Sequence, residues 1–239
     1  MNTEKLSLEG LIFEATKINI DGNVLTITLN RPERKNALNS VMTNEINYAL
    51  AYAKQERSIR VVVLAAEGDI FCAGADLRNM SGKEKPPESA VPRLEGKTDI
   101  SLSLRHLHKP VIAKIQGSVL AGALLMVTGL FRVMPKRAGL DFCMRGEAID
   151  AEKAEEWGLI NQSVKSSELD STVEKLASQL ANLAPTTMQM GLSAYNTQDS
   201  MSFDEALPFL QEQIAACIQS EDAKEGINAF LEKREPKWD

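Results

Sequence analysis

The chain has 239 residues, with 27 Lys and Arg against 33 Asp and Glu, and therefore a formal net charge of −6. Apolar residues make up 44% and charged residues 25%, as in a globular domain, which excludes a disordered or collagen-like chain. The length allows one large domain or two small ones. The acidic balance argues against a general nucleic-acid coat, which needs a broad basic surface.

No apolar run approaches the ~18 residues that a membrane span needs, and residues 1–9 lack the apolar core of a secretory signal. The absence of a CxxC motif and of a Cys/His cluster predicts no metal site. His106 and His108 are expected to serve the C-terminus of a helix. The three cysteines are interpreted as reduced core thiols of a cytoplasmic protein. They are Cys72, Cys143 and Cys217.

The first predicted unit is a β-hairpin. Residues 11–20 and 24–30 alternate apolar and polar side chains on either side of Asp21-Gly22-Asn23, which predicts two strands joined by a tight turn. Apolar residues then recur at helical spacing over 42–53, with Ser40 as the expected N-cap.

The next predicted elements alternate strands and helices. Val61–Ala66 has no polar alternation, which is typical of a strand buried on both faces of a parallel sheet. After a polar excursion over 78–97, a short helix over 100–107 and a buried strand over 111–115 are predicted, and a helical stretch over 122–127 follows. This order predicts an α/β fold with right-handed crossovers.

The second half of the chain is predicted to be mostly helical. Asp150 is an expected N-cap, and Ser202 with Glu205 forms a capping-box pattern. The predicted elements are a helix over 151–157, a short strand over 159–164, and helices over 169–183, 203–218 and 222–233.

Two turns rich in small residues follow the two buried strands, at 73–77 and 117–123. Ligands of open parallel sheets bind beyond the carboxyl ends of the strands, and two backbone N–H groups that converge there would form an oxyanion hole. The same spacing also fits two ordinary tight connections, so the pattern by itself does not separate the two interpretations.

The sequence resembles the crotonase family, the enoyl-CoA hydratase/isomerase superfamily, over nearly its whole length. The similarity lies in residues 30–39, 71–77, 108–113 with Gly117 and Gly122, 146–154, and 158–161. The resemblance implies a spiral of ββα units over residues 1–165 and a helical trimerisation region over 166–239. It also implies assembly as a homotrimer or a dimer of trimers.

The resemblance further implies an acyl-CoA thioester as substrate, with coenzyme A as part of the substrate and no other cofactor, metal, nucleic acid or membrane partner. The backbone N–H groups of Ala75 and Gly122 would hold the thioester oxygen as an enolate develops. The implied CoA contacts are Lys35, Ala37, Asp76 and Leu77, with Phe230 and Lys233 reaching the CoA of a neighbouring subunit. The sequence is equally consistent with Lys35 and Lys233 as ordinary solvated surface side chains.

Two departures from the family pattern bear on the chemistry. Leu125 stands where hydratases carry their first glutamate, and a leucine cannot transfer a proton, so isomerase-like chemistry is favoured over two-glutamate hydration. A βα unit of about 30 residues, which carries the second glutamate, is missing after Thr128. Either the protein lacks this unit or the sequence as given omits it, and no general base is assigned.

Two alternatives remain beside an isomerase-like enzyme. One is a catalytically impaired protein that binds CoA esters or serves as an oligomeric scaffold, and the other is a thioester hydrolase on the same fold.

Overall fold

The computed structural model describes residues 5–81, 88–95, 99–120 and 133–238. The strands in these ranges are β1 (Thr16–Asp21), β2 (Val24–Leu29), β3 (Val61–Ala66), β4 (Ile70–Cys72), β5 (Val111–Ala113) and β6 (Ser118–Val119). The first helices are α1 (Ser40–Gln55), α2 (Leu77–Met80), α3 (Ile100–Arg105), α4 (Lys136–Arg145) and α5 (Ala151–Glu156). They are followed by α6 (Leu169–Ala181), α7 (Pro185–Gln198), α8 (Phe203–Ile218) and α9 (Glu221–Glu232).

Two sheets organise the first half of the described chain. The larger sheet has the order β1-β2-β3-β5, in which β1 and β2 pair antiparallel and the other pairs are parallel. The smaller sheet pairs β4 with β6 in parallel. Two successive units, β3–β4 and β5–β6, therefore each contribute one strand to each sheet, and the predicted hairpin and parallel sheet are confirmed.

Strand β3 is covered on both faces. Val62 and Leu64 belong to the core cluster that includes the apolar side of α1, whereas Val61 and Val63 pack with Ala177 of α6 on the other face. Burying an apolar side chain of this size contributes about 1.5–3 kcal/mol. Burial on two faces explains why the sequence of β3 shows no polar alternation.

One carboxylate lies inside the core between α1 and β1. Glu45 is fully buried, and its Oε1 accepts the N–H of Glu14 at 2.8 Å. Its Oε2 accepts the N–H of Ala15 at 3.1 Å and the hydroxyl of Thr16 at 2.8 Å. The carboxylate therefore satisfies several donors at the start of β1 and fixes that strand against α1.

Several predicted helix boundaries are confirmed. The Asp150 side chain accepts the N–H of Lys153 at 2.8 Å, and Ser202 and Glu205 form the expected capping box of α8. The last helix runs over Glu221–Glu232, within one residue of its predicted limits. The predicted helical stretch over 122–127 and the junction at Thr128 lie outside the described residues.

Other local predictions are wrong. The N-cap of α1 is Asn39, whose Oδ1 accepts the N–H of Met42 at 2.9 Å, and Ser40 is the first helical residue. Residues 159–164 do not form a strand, because the N–H groups of Leu159 and Ile160 both bond to the carbonyl of Ala154 and fold the segment back onto α5.

The prediction of three core thiols holds for one cysteine only. Cys72 is buried, Cys217 is half-buried and Cys143 is exposed. Cys143 lies on α4, in which Gly139 is the only buried residue, so most of that helix faces solvent. In the described parts of the chain, no helix is long and apolar enough to cross a membrane, and no group of three His, Cys, Asp or Glu could hold a metal ion.

Candidate functional site

Two loops run side by side at the carboxyl ends of the strands. The loop over residues 30–38 follows β2 and the loop over 73–77 follows β4; we call them the loop pair. The carbonyl of Lys35 accepts the N–H of Ala73 at 3.0 Å. Leu38 donates its N–H to the carbonyl of Gly74 at 2.8 Å and accepts the N–H of Asp76 at 3.0 Å. These bonds form an isolated parallel bridge between Leu38 and Ala75.

The bridge sets the direction of the Ala75 backbone. Because the groups on either side of Ala75 bond to Leu38, its own N–H and carbonyl point away from Leu38. Ala75 is exposed, and no acceptor for its N–H is found among the residues that the structure describes. A free backbone donor at the predicted position is therefore available to a ligand.

The second turn approaches the same place. Val119 of β6 pairs with Cys72 of β4, and the N–H of Leu120 donates to the carbonyl of Cys72 at 2.9 Å. Gly117 lies so close to β4 that a Cβ there would overlap the carbonyl oxygen of Asp69, so this close approach requires glycine. The chain is thus held beside the loop pair at residue 120. Gly122 and Leu125 lie outside the described residues.

A buried asparagine holds the first loop in place. The Oδ1 of Asn36 accepts the N–H of Arg31 at 2.8 Å, and its Nδ2 donates to the carbonyls of Glu67 and Ile70 at 2.8 and 2.9 Å. Its backbone is left-handed, with φ 52°, a conformation that Asn adopts more readily than most residues. The preceding residue, Lys35, has the same φ of 52°.

A charged pair joins the two loops. The guanidinium of Arg31 donates to the carbonyl of Ala37 at 2.6 Å and lies 3.3 Å from the Oδ2 of Asp76. The other oxygen of Asp76 accepts the N–H of Arg78 at 3.2 Å and caps α2. The Asp76 carboxylate therefore already stabilises the loop pair. Arg31 and Asn36 were not predicted to have a role, because they act through tertiary contacts.

The remaining predicted contacts fall on two parts of the molecule. Lys35 is exposed, Ala37 is half-buried and Leu77 is 74% exposed, all within or beside the loop pair. Phe230 is 83% exposed on α9, and Lys233 ends that helix with φ 55°. Because α9 packs against α7 and α8, these two residues belong to the helical region and not to the loop pair.

The cysteine beside the loops, Cys72, has low expected reactivity. Cys72 is buried, and its Sγ donates to the carbonyl of Asn36 at 3.1 Å. Burial raises the pKa of the Cys72 thiol, and the N–H of Gly74 only partly opposes this effect. A buried thiol of raised pKa is a poor nucleophile.

The topology and the loop pair define an α/β protein whose candidate ligand site is built from backbone groups. The model of the Enoyl-CoA hydratase/isomerase family matches residues 19–129 and 124–239, and the chain belongs to this family. It is similar to mevalonyl-coenzyme A hydratase of Aspergillus fumigatus, with 27% identity over 90% of this chain and 91% of that protein. It is also similar to 1,2-epoxyphenylacetyl-CoA isomerase of Escherichia coli K12, with 28% identity over 92% and 96% of the two chains.

The crystal structure of an enoyl-CoA hydratase of Mycobacterium smegmatis matches with a TM-score of 0.82 and 25% identity, over 94% of this chain and 99% of that chain. These similarities confirm the predicted family and the crotonase-like α/β fold with a helical C-terminal region.

The alignments also show a difference in length. Each of the two alignments spans 251 residues, more than the 239 of this chain, although only 90–92% of the chain takes part. The two relatives therefore carry residues that this chain lacks. The two segments that match the family model overlap at residues 124–129.

Proposed function

We propose that this chain binds acyl-CoA thioesters and stabilises a thioester enolate with two backbone N–H groups, those of Ala75 and Gly122. The observation that carries the proposal is the N–H of the exposed residue Ala75, which has no acceptor in the described part of the chain. The bond from Leu120 to Cys72 supports the second donor, because it brings the chain beside the loop pair two residues before Gly122. Donors fixed in advance stabilise developing negative charge strongly, since they need no reorganisation.

Coenzyme A is proposed to lie along the loop pair. Lys35 is an exposed cation beside Ala37, which suits a phosphate, and Leu77 offers exposed apolar surface to a base. In this arrangement Asp76 acts through its contact with Arg31, which holds the two loops together. Phe230 and Lys233 would complete the site from a neighbouring subunit.

The proposed assembly is a homotrimer or a dimer of trimers formed through the helical region over 166–239. Large apolar side chains on α8 and α9 support it because they are exposed in the single chain. They are Phe203, Leu207, Ile214, Ile218, Ile227, Phe230 and Leu231. A cytoplasmic location is proposed as well, since the three thiols are unpaired.

The proposed reaction is isomerase-like rather than two-glutamate hydration. Leu125 supports this choice, because it replaces the residue that would activate water in a hydratase of this family. A missing βα unit after Thr128 is the second proposal, and two facts support it. The alignments are longer than the chain, and the family match divides at residues 124–129.

The same length difference favours a second candidate function. If the missing unit carries the only acid that can move a proton, the chain binds acyl-CoA without turning it over. A catalytically impaired CoA-ester-binding protein is therefore the alternative.

Spectrophotometric assays with a 3-enoyl-CoA and a 2-enoyl-CoA test the proposal, together with a direct measurement of acyl-CoA binding. Turnover of the 3-enoyl ester alone is expected for the isomerase, and binding without turnover supports the alternative. The variant Ala75→Pro removes one N–H and should lower kcat by roughly 10²–10³-fold. Ala75→Ser keeps the N–H and is the matched control. Full activity of Ala75→Pro, or failure of the wild type to bind acyl-CoA, would overturn the proposal.

A further inference from the structure

A cavity lies at the opposite end of the sheet from the loop pair. Its walls include Ile59 and Arg60, which lead into β3, and His108, Lys109 and Pro110, which lead into β5. These are the amino ends of parallel strands, whereas the loop pair follows the carboxyl ends of strands. Helices α6 and α7 close the cavity from the other side through Leu180 and Pro185. Its volume is about 90 Å³.

The charge of the cavity wall is opposite to that of the whole chain. Five basic side chains line it, and none of the described residues in its wall is Asp or Glu. The basic residues are Lys54, Arg57, Arg60, His108 and Lys109. Burial and the nearby Lys54 lower the pKa of His108, so the two lysines and two arginines supply the positive potential inside this concave surface, in a chain with a net charge of −6.

Two of these cations are fixed in position by backbone carbonyls. The Nζ of Lys109 donates to the carbonyls of Glu56 and Ile59 at 2.8 and 2.6 Å, and also to that of Ala53. Burial lowers the pKa of Lys109 to about 8, and the nearby Glu56 carboxylate acts in the opposite direction. These bonds use all three N–H groups of the ammonium, so Lys109 contributes its charge to the cavity wall and no hydrogen bond to an anion.

Arg60 is held in a similar way. Its two terminal nitrogens donate to the carbonyls of Ala181 and Trp238, at 3.3 and 3.1 Å. Its Nε is a buried donor without an acceptor in the described structure. Because this nitrogen is fully buried, an ion in the cavity cannot contact it, and Arg60 contributes to the wall through the charge of its guanidinium.

We propose that this cavity binds a small phosphate-bearing anion, at a site separate from the loop pair. Lys and Arg side chains are the usual partners of phosphate oxygens in proteins. A volume of about 90 Å³ holds several groups the size of a water molecule, which suits a phosphate or pyrophosphate group. The N-terminus of α7 adds nothing, because Asp222 already accepts the N–H of Thr186 at 2.6 Å.

Calorimetric titration of the full-length protein with inorganic pyrophosphate, at constant ionic strength, tests the proposal. The double variant Lys54→Gln with Arg57→Gln removes two exposed cations from the cavity wall. The control variant Lys165→Gln with Lys175→Gln removes the same charge from the surface elsewhere. The cavity variant is expected to bind roughly tenfold or more weakly, because it loses two charge-assisted contacts, while the control retains wild-type affinity. Equal affinity in both variants, or no binding by the wild type, refutes the site.

Two further measurements separate this site from its alternatives. The chain has two histidines, and His108 lines the cavity whereas His106 is exposed. Pyrophosphate should therefore shift the imidazole resonances of His108 more than those of His106 in an NMR titration, and equal shifts would contradict the placement. Excess coenzyme A is expected to leave pyrophosphate binding unchanged. Displacement by coenzyme A would assign the anion to the loop pair instead. Both outcomes are independent of enoyl-CoA turnover, so the inference fails or stands separately from the proposed function.

Discussion

Asn36 is expected to be the residue on which the shape of the first loop most depends. The variant Asn36→Gly keeps a backbone that accepts φ 52° without strain but removes three side-chain hydrogen bonds. The N–H of Arg31 and the carbonyls of Glu67 and Ile70 then lose their partner.

The magnitude follows from these bonds. At about 1 kcal/mol for each net hydrogen bond, Asn36→Gly should lower the free energy of unfolding by about 3 kcal/mol. For a chain of this size that corresponds to a fall in Tm of about 6–12 °C. Lys35→Gly is the matched control, because Lys35 has the same φ and an exposed side chain. Its stability should change by no more than about 1 kcal/mol.

Urea unfolding followed by circular dichroism measures both variants, with the slope m expected to stay unchanged. Because the loop carries the proposed CoA contacts, KM for an acyl-CoA ester should also rise in Asn36→Gly at temperatures where the variant is folded. A loss of less than about 1 kcal/mol in Asn36→Gly, or an equal loss in Lys35→Gly, would refute the role assigned to the side chain.

Two further predictions concern the buried carboxylate and the thiols. Glu45→Ala leaves several buried donors at the start of β1 unpaired and should lower the free energy of unfolding in urea by about 3–5 kcal/mol. Glu45→Gln keeps one oxygen and should lower it by about 1–2 kcal/mol. Equal losses in the two variants would contradict the role assigned to the two carboxylate oxygens. With an aromatic disulfide reagent at pH 8, exposed Cys143 should react first and buried Cys72 only after unfolding, because burial raises the pKa of Cys72. The variant Cys143→Ser should lose the fast phase, and a fast phase that persists in it would contradict this assignment.

The elements that the sequence predicted best are those fixed by local chemistry. The β-branched residues of β3 delimit the strand at Val61–Ala66 as predicted, and the side chains of Asp150 and Ser202 mark the starts of two helices. Helix α7 was not predicted because Pro185 looked like the end of the preceding helix, although proline also fits the first turn of a new one. Helix α4 gave little signal, since two of its large apolar side chains, Leu140 and Met144, face solvent.

The residues of the candidate site also differ in how far they could be predicted from local sequence. The turn over residues 73–77 was predictable from its small residues, and the role of Ala75 in it stays a prediction that the resemblance implies. The contacts that join the first loop to the rest of the chain were not predictable, because Glu67 and Ile70 lie 31 and 34 residues from Asn36, and Asp76 lies 45 residues from Arg31. No local pattern marks an Arg–Asp pair at that separation, and only the packed structure brings its members together.

The proposed use of backbone groups would let such a site persist at 25–28% identity to relatives. Such a site constrains side chains only where bulk would block it, at Ala75 and at Gly117 beside Asp69. Proton transfer constrains the sequence more strictly, because it requires an acidic side chain at one particular position. In this chain the proposed CoA contacts of the loop pair lie among the described residues, and the division of the family match lies at 124–129. Loss of an acidic side chain would therefore lower turnover and leave binding unchanged. A measurable Kd for acyl-CoA together with a very low kcat is the combination expected for the alternative, a CoA-ester-binding protein without its proton-transferring acid, whereas turnover of a 3-enoyl-CoA is expected for the proposed isomerase-like enzyme.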